Sequence, residues 1–315
     1  MKKKSILPAI LIALVILGAL GAFALLRAKT SNSEAVRLYL PEGTTYEALC
    51  DSVHADASFH LYARMRGLDQ HVRAGSYVVQ PHMSTLSLVQ KLYRGQQDPV
   101  RLTIGKFRTP QQLNDYLNGK LMRDDFNVTL DSFHLILPDT YEFYWTLTPE
   151  QFMQRMEKEY TRFWKKNDLK DFKDLKDPKD LVVLASIVEE ETNNNSEKPL
   201  IASVYLNRLK KGMPLQADPT VKYAVGDFTL RRILNRHLAT ESPFNTYLHT
   251  GLPPAPICLP SKETLKAVVQ APKTDYLYFC ASDKLDGTHR FAATLAEHNR
   301  NAAAYHTALN RRGIR

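Results

Sequence analysis

The stretch that decides the fold reads Leu181-Val-Val-Leu-Ala-Ser-Ile-Val-Glu-Glu-Glu-Thr192. At roughly 100° per residue, its aliphatic side chains at positions 181, 184, 187 and 188 form one stripe of a helix, and Glu191 falls in the middle of that stripe. Glu189 and Glu190 point elsewhere. Asp177-Pro178 supplies an N-cap and a first-turn proline, and asparagines follow at 193 to 195, so the sequence predicts a helix over about 178–191.

Glu191 combines two features that disfavour a charged carboxylate. The carbonyl end of the helix dipole and the apolar neighbours each raise a carboxyl pKa. A raised pKa keeps a glutamate protonated near neutral pH, which is what a general acid requires. The alternative is a helix-end glutamate turned out to solvent, and the rest of the chain decides between the two.

The N-terminus predicts a membrane anchor. Lysines at positions 2 to 4 precede an almost uninterrupted apolar run from Ile6 to Leu26, and Arg27 and Lys29 follow it. At roughly 1.5 Å per residue such a helix spans about 31 Å, the thickness of the hydrocarbon core of a bilayer. The run is longer than the apolar part of a signal peptide, so we expect an uncleaved anchor over 1–27. The lysines before it favour an N-terminus inside the cell and the remaining chain outside the cytoplasm.

The composition of the remaining chain fits an exported globular protein. It is long enough to bury a sizeable core in two domains. A formal net charge of +9 fits an anionic surface or an acidic polymer, and export argues against nucleic acid as the partner. Cys50, Cys258 and Cys280 have no CxxC spacing. They are predicted to be free buried thiols, with a Cys258–Cys280 pair as the alternative.

A tether over 28–35 is expected to lead into a small α+β module over 36–99. The predicted elements of this module are a strand at Val36–Leu40, a helix at Thr45–His54, a strand at Ala74–Val79 and a helix at Ser84–Arg94. The module has no cluster of catalytic residue types. Binding or positioning is therefore its expected role, and a structural spacer is the alternative.

A larger mixed α/β unit is predicted over 100–315. Its predicted elements are a strand at Val100–Ile104, a helix at Thr109–Asn118, a turn at Leu137–Tyr141, a solvated helix or loop at Lys165–Lys179, a helix at Lys198–Lys211 and a core strand at Tyr276–Phe279. The connection after Thr192 is short. The helices on either side of it should therefore pack antiparallel, with Glu191 near their junction.

Polar side chains cluster in two turn segments that follow these helices. The segments are Leu215-Gln-Ala-Asp-Pro-Thr-Val221 and Ser242-Pro-Phe-Asn-Thr-Tyr247, and a proline-rich loop over 251–257 comes next. A stiff loop beside hydroxyl and amide side chains suits the wall of a groove for a polyhydroxylated ligand. The candidate ligand-binding side chains are Gln216, Asp218, Thr220, Asn245 and Tyr247.

A series of short motifs runs through the larger unit. They are Ala185-Ser-Ile-Val-Glu-Glu-Glu-Thr192, Val204-Tyr-Leu-Asn-Arg-Leu209, Gly212-Met-Pro-Leu-Gln-Ala-Asp-Pro-Thr220, Asn245-Thr-Tyr247, Gly251-Leu-Pro-Pro254, Tyr276-Leu-Tyr-Phe279, His289-Arg-Phe291 and Glu297-His-Asn299. In this order and spacing they resemble the YceG-like family. The best-known members of that family are inner-membrane enzymes that cut nascent peptidoglycan glycan strands. The resemblance implies an α+β protein with an N-terminal transmembrane helix, a LysM-like subdomain over 36–99 and a YceG-like catalytic domain over 100–315.

The resemblance also implies a reaction and its acid. In that family the acid is the glutamate directly before the threonine of a Glu-Xaa-Glu-Thr motif, which is Glu191 here. It would protonate the MurNAc–GlcNAc β-1,4 oxygen and then take the proton of the sugar's own 6-hydroxyl, which leaves a 1,6-anhydro end. One carboxyl group suffices for this, whereas hydrolysis commonly uses a pair. The five candidate side chains would hold the glycan, cell-wall synthases are expected partners, and neither a metal nor a cofactor is implied.

Two alternatives remain from the sequence. The first is a hydrolase of the same polymer in which Asp218 or Glu189 activates water, and the second is a non-catalytic glycan-binding scaffold. A scaffold has no use for a desolvated carboxyl group, which argues against the second. His289 and His298 lack ligand spacing, so we expect them to have packing or surface roles rather than to bind metal.

Overall fold

The computed structural model describes residues 7–167, 175, 177–230 and 232–313. The lysines predicted to precede the membrane anchor, and much of the charged stretch over 165–179, lie outside these residues. The chain divides into two compact units, Met1–Leu102 with Glu142–Leu147 and Thr103–Tyr141 with Thr148–Arg315. Within the described residues the fold is mixed α+β with three two-stranded sheets, so the predicted α+β class is confirmed.

The first unit contains a small two-stranded sheet and several helices. Its elements are α1 (Leu7–Leu26), β1 (Val36–Leu40), α2 (Tyr46–Val53), α3 (Ala57–Arg66), β2 (Gly75–Val79) and α4 (Thr85–Arg94). β1 and β2 are antiparallel, with Val36 opposite Val79 and Leu40 opposite Gly75. Leu49, Tyr77 and Leu92 belong to the buried core beside them. The predicted strands and helices of this unit are confirmed to within one or two residues.

Side chains of α1 are described at residues 10–12 and 14–25. Within that part of the chain and the other described residues, no helix combines the length and the apolar character needed to cross a membrane. The membrane anchor stays a prediction from the sequence.

The second unit is mainly helical. Strand β3 (Val100–Ile104) begins in the first unit and strand β4 (Asp139–Phe143) ends in it. The other elements of the second unit are α5 (Pro110–Leu121), a 3₁₀ turn (Phe133–Leu135), α6 (Pro149–Lys166), α7 (Pro178–Glu191), α8 (Lys198–Lys210), α9 (Asp218–Val225), α10 (Asn235–Leu238), α11 (Lys262–Val269), β5 (Tyr278–Ala281), β6 (His289–Ala292) and α12 (Leu295–Arg311). β3 pairs with β4. β5 and β6 are antiparallel, with Tyr278 opposite Ala292 and Ala281 opposite His289.

Helix α7 lies at the centre of the second unit. It begins where the sequence predicts, and the Asp177 side chain accepts a hydrogen bond from the Lys179 backbone N–H at 2.8 Å. Every side chain from Leu181 to Val188 is buried, and α7 packs against α8, α9 and α11. The helix is therefore buried on all sides, as expected for a helix that is apolar all round, and not only along the predicted stripe.

Two predicted turns are regular elements in the structure. The segment Leu137–Tyr141 leads into strand β4, which starts at Asp139. The Asp218-Pro-Thr segment opens helix α9 with Pro219 in its first turn, because the fixed φ of proline suits a helix start as well as a turn. All three cysteines are free thiols, as predicted, but only Cys258 is buried, and the prediction of burial is wrong for the half-buried Cys50 and Cys280.

Candidate active site

Glu191 is the last residue of α7 and lies at the edge of a cavity of about 740 Å³. Its side chain is partly exposed, although the apolar body of α7 directly before it is buried. The Tyr205 hydroxyl on α8 donates a hydrogen bond to Glu191 Oε1 at 2.5 Å. The carboxyl group therefore lines the cavity at the end of a helix whose body, from Leu181 to Val188, is buried.

The surroundings of Glu191 hold its carboxyl group close to half protonation at neutral pH. Burial raises the pKa of Glu191 to about 7. The hydrogen bond from Tyr205 acts in the opposite direction, the negative charge of Asp218 adds to the rise, and the positive charge of Lys222 opposes it. Such a group can donate a proton and then accept one at the same pH, which suits acid and base catalysis in sequence.

Tyr205 is a site residue that the sequence interpretation missed. It is buried on α8, and burial raises the pKa of its phenol well above the usual value, so the hydroxyl keeps its proton. The helical pattern assigned Tyr205 to the apolar side of α8, where its ring indeed packs. The available signal was the polar tip of a tyrosine, because a buried phenol requires a hydrogen-bond partner.

The two neighbouring glutamates are held by ion pairs. Arg108 contacts both carboxylate oxygens of Glu190 at 3.1 Å. Glu189 accepts hydrogen bonds from Lys198, at 3.1 Å, and from Thr264. Burial alone would raise the pKa of Glu189, but its hydrogen bonds and the Lys198 charge bring it below the usual value. Glu189 thus stays anionic and tied to α8 and α11.

Asp218, Tyr247 and Gln216 lie on exposed or half-exposed positions of the second unit. The Tyr247 hydroxyl donates to Asp218 Oδ1 at 2.7 Å. Both residues interact electrostatically with Glu191, so they belong to the same site. Gln216 has a φ of 50°, and its side-chain oxygen accepts a hydrogen bond from Arg208 at 3.4 Å. The structure therefore brings Asp218 and Tyr247 to the neighbourhood of the acid, whereas the contact that it gives the Gln216 side chain is with Arg208.

Thr220 and Asn245 are buried. The Thr220 hydroxyl donates to the Ala217 carbonyl at 2.7 Å, and the Asn245 amide donates to the carbonyls of Leu238 and Thr240, each at 2.9 Å. These bonds fix the start of α9, which carries Asp218, and the loop that carries Tyr247. Direct contact of Thr220 or Asn245 with a ligand stays an untested prediction.

Most of the other residues that line the cavity are polar. Besides Glu191 it includes hydroxyl, amide and imidazole groups from the segment after α7, the β5–β6 hairpin and α12, namely Thr192, Asn193, Asn194, Ser282, Thr288, His289 and Tyr305. Such a set offers hydrogen-bond donors and acceptors to a hydroxylated ligand. The hairpin residues were not among the candidates predicted from the sequence.

The fold and the site define an α+β protein with a partly exposed carboxyl group of raised pKa at the edge of a cavity. The model of the YceG-like family matches residues 26–304. The chain therefore belongs to the YceG-like family, and the resemblance seen in the sequence is confirmed.

Named relatives agree with this assignment. An endolytic murein transglycosylase of Bacillus subtilis is 31% identical over 315 residues, which cover 87% of this chain and 86% of the relative. An endolytic murein transglycosylase of Streptococcus pneumoniae is 35% identical over 130 residues, or 40% of this chain and 23% of that protein. A solved YceG-like protein of Listeria monocytogenes superposes with a TM-score of 0.51 at 28% identity, covering 85% of this chain and 99% of that one.

Proposed function

We propose that this protein is a lytic endotransglycosylase of peptidoglycan, with Glu191 as its catalytic acid. The family and the names of its relatives support the substrate and the class of reaction. The observation that carries the role of Glu191 is its position: a carboxyl group with a pKa of about 7 lies at the edge of a polar cavity. Few other positions in a protein keep a carboxylic acid protonated at neutral pH.

The proposed reaction needs one carboxyl group. Protonated Glu191 donates its proton to the oxygen of the MurNAc–GlcNAc β-1,4 bond, and the bond to the anomeric carbon breaks. The Glu191 carboxylate then accepts the proton of the 6-hydroxyl of the same MurNAc, whose oxygen bonds to the anomeric carbon. The products are a free GlcNAc end and a 1,6-anhydroMurNAc end, and no water is consumed. The hydrogen bond from Tyr205 stabilises the carboxylate between the two steps.

The competing hydrolase requires a second group to activate water. Glu189 is committed to Lys198 and Thr264, which leaves Asp218 as the base for that alternative. In the lytic reaction Asp218 instead raises the pKa of Glu191 and binds glycan together with Gln216 and Tyr247. Thr220 and Asn245 support the loops of this groove.

The cellular placement is part of the proposal. The apolar run from Ile6 to Leu26 would anchor the protein in the inner membrane with a single pass, and the catalytic unit would lie in the periplasm where new strands emerge. The module over 36–99 would bind glycan as a LysM-like subdomain, and cell-wall synthases would be neighbours. We expect the intact protein in the membrane fraction and its catalytic unit to be cleaved by protease added to spheroplasts. A mature protein that starts after Ala24, or a protected catalytic unit, would contradict this placement.

The direct test of the function uses uncrosslinked glycan strands. We expect the protein to shorten them from within and the Glu191→Gln variant to lose the activity by about 10²–10⁴-fold or more, because the amide has the same shape but cannot donate the proton. Glu190→Gln is the matched control, since Glu190 is engaged with Arg108, and it should keep most of the activity. A wild-type protein that binds strands without cutting them would support the scaffold instead.

A further inference from the structure

Glu197 and His289 form a pair that the proposed reaction does not use. Glu197 precedes α8 and is 8% exposed. Its Oε1 accepts the backbone N–H of His289 at 2.8 Å, and its Oε2 lies 2.9 Å from His289 Nδ1. The Phe279 ring meets the imidazole edge-on, with the ring centres 5.4 Å apart. Both oxygens of one carboxylate and one aromatic ring therefore fix the orientation of the imidazole.

His289 lines the same cavity as Glu191. Because the Glu197 carboxylate accepts at Nδ1, that nitrogen carries a proton, and in a neutral imidazole Nε2 is then the hydrogen-bond acceptor. Among the described residues, none hydrogen-bonds to Nε2. If the pair only tied the β5–β6 hairpin to the start of α8, this would explain the two bonds that Glu197 accepts, from Nδ1 and from the backbone N–H of His289. It would give Nε2 no role.

The lining of the cavity indicates what Nε2 can bind. The acidic side chains that line the cavity are those of Glu191 and Asp286. Their carboxyl groups disfavour an anionic group on the ligand. Its hydroxyl and amide side chains, including Ser282 and Asn193, suit a neutral sugar. An acceptor on one wall matches a sugar hydroxyl or the N–H of an acetamido group.

We propose that His289 binds the glycan in this cavity by accepting a hydrogen bond at Nε2 from a sugar hydroxyl or acetamido N–H. Glu197 is its positioning residue, because it fixes both the tautomer and the direction of the ring. This role deepens the proposed function and rests on it. It gives the β5–β6 hairpin a sugar-binding role in the site of Glu191, in addition to the Gln216, Asp218 and Tyr247 groove.

Two substitutions separate the ligand role from the structural tie. In His289→Asn the amide nitrogen can replace Nδ1 and keep the bond to Glu197, but nothing replaces Nε2. In His289→Gln an amide oxygen can reach the position of Nε2, while the bond to Glu197 is weakened. The full-length Glu191→Gln protein serves as background, so that the glycan stays intact, and an uncrosslinked glycan oligomer is the probe in calorimetric titration.

We expect Glu191→Gln/His289→Asn to bind the oligomer roughly fivefold to tenfold more weakly than Glu191→Gln, which is the effect of one lost hydrogen bond, with the same melting temperature. Glu191→Gln/His289→Gln should recover part of the affinity despite a lower melting temperature. His249→Asn, at an exposed histidine of the same unit, is the control and should bind unchanged.

The opposite pattern would overturn the role of His289. If His289→Asn leaves affinity unchanged in the Glu191→Gln background, and leaves KM unchanged when Glu191 is intact, the pair is only a structural tie. Cleavage by the wild-type protein in the same preparation tests the proposed function separately. A protein that cuts glycan but shows no effect of His289→Asn would lose this role alone, whereas a protein that does not cut would lose both.

Discussion

At the residue scale, the pKa of Glu191 depends on neighbours that can be changed one at a time. Cleavage requires the protonated acid, so activity should fall as the pH rises through about 7. Tyr205→Phe removes a hydrogen bond that lowers this pKa, so the fall should move to higher pH. Asp218→Asn removes a charge that raises it, so the fall should move to lower pH.

The measurement is the rate of glycan cleavage between about pH 5 and 9 for the wild type and the two variants. The readout is the pH at which activity has fallen to half of its maximum, on the alkaline limb of the profile. Each variant is also expected to be slower, because Tyr205 and Asp218 shape the site. Limbs that do not move, or that move in the same direction, would contradict the assignment of the titrating group to Glu191.

The same raised pKa predicts a pH-dependent stability. A carboxyl group whose pKa is raised in the folded state contributes stability below its unfolded pKa of about 4.3, and that contribution is lost as the pH rises through the folded value. Glu191→Gln has no such loss. Thermal unfolding should therefore show that the free energy of unfolding of Glu191→Gln rises by about 1–3 kcal/mol relative to that of the wild type as the pH is raised from about 5 to 8. A difference that is independent of pH would mean that the Glu191 carboxylate is not destabilised by burial.

The residue scale also shows what the sequence can and cannot predict. The position of Glu191 at the end of α7 was predicted correctly because it follows from helical periodicity within a single element, and its role as the acid stays a prediction. Its contact with Tyr205 and its shared cavity with His289 depend on how α7, α8 and the β5–β6 hairpin pack. No local pattern encodes that packing, so His289 was assigned to packing or the surface.

At the scale of elements, Glu189 joins three helices. It is the acceptor for Lys198 at the start of α8 and for Thr264 on α11, and the side chains of Glu189 and Lys198 are 14% and 5% exposed. Lys198→Met should leave a buried carboxylate without its ion pair and lower the free energy of unfolding by about 3–5 kcal/mol.

The matched control is the double variant Glu189→Leu/Lys198→Met. It removes both charges together, so it should be closer to the wild type than Lys198→Met in urea unfolding. If the changes in the free energy of unfolding caused by Glu189→Leu and by Lys198→Met alone add up to the change in the double variant, the pair does not link the helices.

Element boundaries were predictable where caps are unambiguous. Asp177-Pro178 and the end at Glu191 bound α7 as predicted. The start of α9 at Asp218 was missed because Asp-Pro-Thr is equally good chemistry for a turn and for a helix start, and only the packing of Val221 in the core decides between them. Burial of α7 on all sides was missed for a similar reason, since neighbouring helices cover faces that the stripe alone leaves open.

At the scale of the whole molecule, the α+β class and the YceG-like family were predicted from the sequence and are confirmed. Short motifs in a fixed order carry family membership even when single motifs are ambiguous. The site, in contrast, joins residues from α7, α8, α9 and the loops after them. The sequence names Glu191 and the five ligand-binding candidates, but not Tyr205 on α8. It also does not say that Thr220 and Asn245 are buried while Asp218 and Tyr247 remain accessible.

The central claim is that Glu191 cuts the glycan without water. Cleavage of uncrosslinked strands in ¹⁸O-labelled water, followed by mass spectrometry of the new ends, tests it most directly. A lytic reaction predicts MurNAc ends that are unlabelled and lighter by one water than the hydrolytic product, both for the wild type and for the slower Asp218→Asn variant. Incorporation of ¹⁸O in proportion to cleavage would contradict the claim and would assign Asp218 the role of a base that activates water.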